Sequence, residues 1–264
     1  MFPILREAAQ VPGLLKEIYG DLAKPGVAQV GKALSTVLGL GNTVLLPLAL
    51  LNERAKIVLE KNLESYRVQL DSVPSEKIQL VPPEVGVPVV EKLAYVTDEE
   101  LSRLYINLLA KASTVDTANA AHPSFVNVIA NLSPDEAVLL KEISALGSVP
   151  CVRAQLNSKK NPLTYKSVGD LLTGLERVVG LSFQQNLRAY FSNFEGLGLI
   201  QINRVEYIAN PGAYEELKAF YRPQAESLTF DREEYETGFH NMRIDVTPYG
   251  LLFMDACLKN LAGE

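Results

Sequence analysis

The chain has 264 residues, 47% of them hydrophobic and 21% charged, which suits one large or two small globular cores and not a disordered protein. Its formal net charge of −6 is the wrong sign for a general nucleic-acid binder, whose affinity rests on surplus Lys and Arg. Two widely separated cysteines, Cys151 and Cys257, exclude a disulfide scaffold and a zinc ribbon and fit a reducing cytoplasm.

Met1 to Glu7 lacks a basic start before an apolar core, so no secretory signal is expected. Gly26 to Leu51 is the longest apolar stretch, with Lys32 its one charge and about the length of a membrane span. Gly39-Leu40-Gly41-Asn42 reads as a helix stop and turn, which predicts two short helices, an apolar hairpin over residues 26–51. Two uses follow: a buried hairpin or oligomer face, or a membrane-active hairpin whose small residues Gly31, Ala33, Ser35 and Gly39 allow close helix approach. The expected address is the cytoplasm, with membrane association through residues 26–51 left open.

Leu48 to about Val73 predicts a long amphipathic helix, since Leu59, Leu63, Tyr66 and Leu70 fall on one face. Val73-Pro74-Ser75 breaks it, and Val81-Pro82-Pro83-Glu84-Val85-Gly86-Val87-Pro88 reads as an extended connector, because a residue before proline is pushed away from helix. Thr97 and Glu100 form a capping-box signature ahead of Leu101, Leu104, Tyr105, Leu108 and Leu109, the strongest core-facing stripe in the chain. A polar loop from Thr114 to Ala121 leads into His122-Pro123-Ser124-Phe125. His122 lacks nearby companions at metal-ligand spacing, so its expected work is to cap or bridge backbone at a helix start. Phe125, Val128, Ile129 and Leu132 supply a short apolar helix face. Ser133-Pro134-Asp135-Glu136 repeats the capping signature, and Leu139, Ile143 and Leu146 continue the helix until Gly147.

From about Leu80 to Leu146 the ordered set Pro82-Pro83, Leu104 to Ala110, His122-Pro123-Ser124-Phe125 and Leu132 to Ala137 resembles the shared core of a bacterial family, abortive infection alpha. That resemblance implies a role in phage defence and supplies no catalytic residues. Within it, His122, Pro123, Ser124, Phe125, Ser133, Pro134 and Glu136 are motif residues of expected structural use.

Past Gly147 the pattern mixes helix and strand. Leu187, Tyr190, Phe191, Phe194 and Leu197 mark a helix starting near Ser182; Gly196 to Ile202 reads as a stop and then a strand. Met242, Ile244 and Val246 alternate with Arg243 and Asp245 as a return strand, and Thr247-Pro248 opens a final helix to about Leu261. The order resembles a winged-helix unit, with residues 203–239 an enlarged wing holding a helix near Pro211 to Tyr221. Gln184, Gln185, Arg188 and Ser192 line the candidate recognition helix. From Pro134 onward, however, 13 Lys and Arg face 17 Asp and Glu, a difference of −4. Glu233, Glu234 and Glu236 in the wing would repel a phosphate backbone, so a protein partner or self-association is expected before nucleic acid.

No Walker motif, nucleophile elbow or His-Glu-x-x-His is present, and Gly196-Leu197-Gly198 follows a helix and precedes a strand, the reverse of a dinucleotide turn. Neither a catalytic site, a cofactor nor a metal is expected. The fold class read from the sequence is mainly α: a helical region over 1–147 with the apolar hairpin, then an α+β winged-helix-like domain over 148–264. The function expected is a non-enzymatic defence effector, in which packing of the hairpin against the Leu101 to Leu109 helix keeps it silent. The alternative is a winged-helix transcriptional regulator.

Overall fold

Apolar side chains at helical spacing build the first part of the molecule. The computed structural model describes Lys16, Ile18, Gly20, Lys24 and residues 26–44, 53–210 and 212–262, with the backbone alone at 39–44. Helix α1 spans Val27–Val44. It runs through Gly39-Leu40-Gly41 without the expected turn, a correction to the hairpin reading. Glycine lowers helix propensity by about 1 kcal/mol without forbidding helix, and Val30, Ala33, Leu34, Val37 and Leu38 anchor the preceding turns in the core. The expected second arm, residues 45–51, lies outside the described residues.

Helix α2, Glu53–Asp71, buries Leu59, Leu63, Tyr66 and Leu70, the stripe read from the sequence. The following segment is extended only from about Ile78 to Pro82. It bridges to the end of helix α4, Glu99–Ala112, through Ile78 and Thr114, and Val81 N–H donates to the Ala33 carbonyl of α1 at 2.9 Å. Helix α3 then occupies Pro83–Leu93, where a connector was expected. Pro82 at the N-cap and Pro83 at the first position need no amide, so two of the three prolines suit a helix start. Pro88 lies inside, and burial of Val85, Val89, Val90 and Leu93 outweighs the hydrogen bond it removes. Gly86 permits α1 and α3 to approach closely: a Cβ there would stand 2.3 Å from Val37 Cγ2.

Helix α4 is capped one residue later than expected, with Asp98 rather than Thr97 accepting the Leu101 amide at 3.0 Å. It is buried nearly all round, packed by α2, α3, helix α5 (Phe125–Ala130) and the C-terminal π-turn Met254–Leu258. The packing partners of α1 are α3 and α2, which differs from the expected pairing with α4. Three buried polar bridges fix the register of this unit. Asn62 Nδ2 donates to the Leu93 carbonyl at 2.8 Å, Tyr66 Oη meets Ser113 Oγ at 2.6 Å, and Asn107 Nδ2 donates to the Cys257 carbonyl at 2.8 Å. Each group would be costly to bury unpaired.

The second unit is a four-stranded antiparallel sheet with helices. Strands β1 (Ser148–Ser158), β2 (Tyr165–Leu172), β3 (Ile200–Asn203) and β4 (Tyr235–Val246) lie in the order β2-β1-β4-β3. The β3–β4 pair is the one read from the sequence, with Ile202 opposite Ile244. β4 reaches back to Tyr235, so the last residues of the expected wing are strand, paired with β1 on the other edge. Helix α7, Leu187–Gly196, packs on β3 and β2, and helix α8, Gly212–Glu226, covers Val152 and Leu172 with Tyr214, Leu217 and Tyr221.

The chain divides into two compact units, the described residues up to Ala137 with those from Leu252 onward, and Val138–Leu251. This differs from the division expected at Gly147. Helix α6, Pro134–Leu146, spans the change, and the final helix is short, α9 at Pro248–Phe253 followed by the π-turn. The C-terminal segment returns to the helical unit because Phe253, Met254, Ala256 and Cys257 are buried there, Phe253 edge-on to Phe125 at 5.3 Å.

Candidate functional site

The His-Pro-Ser-Phe motif sits where a 3₁₀ turn, Ala118–Ala120, hands over to α5. His122 is exposed, and its Nδ1 accepts the Ser124 amide at 3.2 Å while lying 2.7 Å from Ser124 Oγ. An Nδ1 that accepts puts the proton of the neutral ring on Nε2. Pro123 starts the turn, and Phe125 is fully buried with its ring 5.7 Å from the imidazole. This is the geometry of a helix start locked by its own side chains. Ser133 and Glu136 make a reciprocal box at the start of α6: the Ser133 amide donates to Glu136 Oε2 at 2.7 Å, and the Glu136 amide to Ser133 Oγ at 3.4 Å. Pro134 takes the first helical position.

Of the candidate recognition residues, Gln184 and Gln185 fall in a 3₁₀ turn before α7, while Arg188 and Ser192 lie on the helix itself. All four are exposed, and Ser192 Oγ donates back to the Arg188 carbonyl at 3.0 Å.

A different group of residues forms a pocket, one that pattern reading along the chain missed. Arg153 on β1 pairs with His240 on β4, and Gln155 pairs with Gly238, so Arg153, His240 and Gln155 share one face of the sheet. Tyr165 of β2 and Arg204-Val205 after β3 complete an open pocket of about 390 Å³. Arg153 is held from two sides: Nε donates to Asp170 Oδ1 at 3.2 Å and Nη1 to Tyr165 Oη at 3.0 Å. His240 Nε2 donates to the Arg204 carbonyl at 2.7 Å, which ties the loop after β3 to the strand. Gln155 Nε2 reaches Asn157 Oδ1 at 2.7 Å.

A backbone irregularity aims the Asp170 carboxylate. Val152 pairs with Leu172 and Ala154 with Gly169, so two residues, Asp170 and Leu171, oppose Arg153 alone. That is a β-bulge, which re-aims side chains on the bulged strand. Leu171 takes φ 52°, the left-handed region a branched side chain avoids, at a cost of order 1 kcal/mol or more. The signal in the sequence was the alternation Val152-Arg153-Ala154-Gln155-Leu156-Asn157, a strand pattern. Its pairing with His240 is long-range and has no local signature.

Both thiols are free and buried. Burial pushes the Cys151 thiol up to about 12 and that of Cys257 well above its ordinary value, so neither is poised as a thiolate. Among the described residues no three His, Cys, Asp or Glu are grouped to hold a metal ion, and no helix is long and apolar enough to cross a membrane.

A family model described as abortive infection alpha matches residues 54–257. Among curated proteins nothing matches. Among solved structures the chain is similar to an uncharacterized protein from the hydrocarbon-degrading marine bacterium Alcanivorax borkumensis SK2. Identity is 14% and the TM-score 0.28, covering 53% of this chain and 95% of that one.

Proposed function

The chain belongs to the abortive infection alpha family, whose model spans residues 54–257, and from that premise we propose an abortive-infection-type defence effector that acts by binding rather than by catalysis. The family match carries this reading. The motif geometry supports it, since His122 is occupied at a helix start and its neighbours are packing residues. In this reading the protein works in the cytoplasm, and the α7–β3–β4 segment serves as a winged-helix-like module for a protein partner or a second copy. Val178 and Phe183, large apolar side chains left exposed before α7, support such a contact. The apolar face of α1 is buried, so we assign the effector surface elsewhere.

Duplex DNA is the weaker reading, because the four exposed recognition positions bring a single cation, Arg188, against the phosphate charge.

A non-catalytic mechanism predicts that cells expressing His122→Ala keep the plaque reduction of the wild-type chain across a phage panel. Loss of protection with the variant still folded and equally abundant would point to chemistry at the imidazole.

A further inference from the structure

We propose that the pocket over β1 and β4 binds a small phosphorylated molecule of mononucleotide size, with its phosphate on Arg153 and Arg204 and its planar ring on Tyr165. The lining brings two guanidinium groups and no carboxylate, so its own chemistry selects an anion. Asp170 neutralises part of the Arg153 charge but takes only its Nε–H, and Tyr165 takes one more. A guanidinium has five N–H donors, so three remain beyond those two bonds.

Arg204 is held loosely, 3.5 Å from the Ile202 carbonyl and 3.7 Å from Glu195 Oε2, and can turn to a ligand with little lost. The volume of about 390 Å³ falls within the range of roughly 300–1,000 Å³ for small-molecule sites. Tyr165 is 48% exposed and presents an aromatic surface, with the Arg153 guanidinium 5.8 Å from its centroid. Gln155 and His240 add further hydrogen-bonding groups at the wall.

Leu171 takes its strained conformation beside the pocket. Left-handed backbone at a branched residue persists where the surroundings enforce it, and here it presents Asp170 to Arg153, fixing a cation at the pocket. The inference concerns ligand binding alone and stands apart from the defence reading, so either can fail without the other.

The test is calorimetric titration of the full chain with adenosine monophosphate, adenosine and inorganic phosphate. Adenosine monophosphate is expected to bind, inorganic phosphate about tenfold or more weakly, and adenosine not measurably. Arg204→Ala, at an exposed position that leaves the fold intact, is expected to weaken the nucleotide about tenfold or more. Tyr165→Ala, which removes the stacking ring together with the Tyr165 Oη–Arg153 bond, is expected to weaken the nucleotide by a larger factor than it weakens phosphate. No nucleotide binding at millimolar concentration, equal binding of adenosine, or an Arg204→Ala variant with unaltered affinity would overturn the proposal.

Discussion

Leu38→Asp is expected to unfold the helical unit. Leu38 is 0% exposed on α1, with Leu34 and Val37 equally buried beside it, and α1 packs on α3 through the Gly86–Val37 approach. The substitution forfeits about 1.5–3 kcal/mol of apolar burial and adds a carboxylate whose effective desolvation is several kcal/mol. The total rivals the whole stability of a typical domain, about 5–15 kcal/mol. Circular dichroism and gel filtration should show loss of cooperative melting together with aggregation. A soluble variant melting at the wild-type temperature would mean that α1 is not part of the core, and a releasable N-terminal segment would again be the effector.

Gly250→Ala is expected to destabilise the second unit even though alanine is the better helix former. Gly250 N–H donates to Thr247 Oγ1 at 2.9 Å, the cap of α9, and the Thr247 amide donates to the Leu199 carbonyl at 3.0 Å. A Cβ at Gly250 would stand 2.0 Å from that same carbonyl oxygen. Backbone cannot swing aside as a flexible side chain can, so β3 and the helix start must part and both hydrogen bonds suffer. Overpacking of this kind costs about 1–3 kcal/mol, with backbone contacts at the upper end, against roughly 1 kcal/mol gained in helix propensity. A melting temperature lower by several degrees is the expected result; an unchanged or higher one would show that α9 is not seated on β3.

What was legible in the sequence was local. The stripe of α2, that of α4, the Ser133–Glu136 box and the alternation of β4 each declare themselves within a few turns or residues, because burial selects apolar side chains at the period of the element. The misreadings came where tertiary burial overrode a local rule. Pro88 argues against helix, yet the valines around it are worth more buried than the lost hydrogen bond. Gly39 and Gly41 argue for a stop, and α1 continues. The C-terminal segment gives no sign that Asn107 will take its Cys257 carbonyl. The pocket was the least legible, since Arg153 and His240 meet only through the β1–β4 register and Asp170 reaches Arg153 only through a bulge.

The central claim, an abortive-infection-type effector, is tested most directly by infecting expressing cultures at low and at high multiplicity. The account predicts that a sensitive phage leaves the low-multiplicity culture growing, while at high multiplicity the culture collapses without a burst of progeny. Cells that survive high multiplicity with phage entry or replication blocked, or growth curves identical to the empty vector across a broad phage panel, would contradict it.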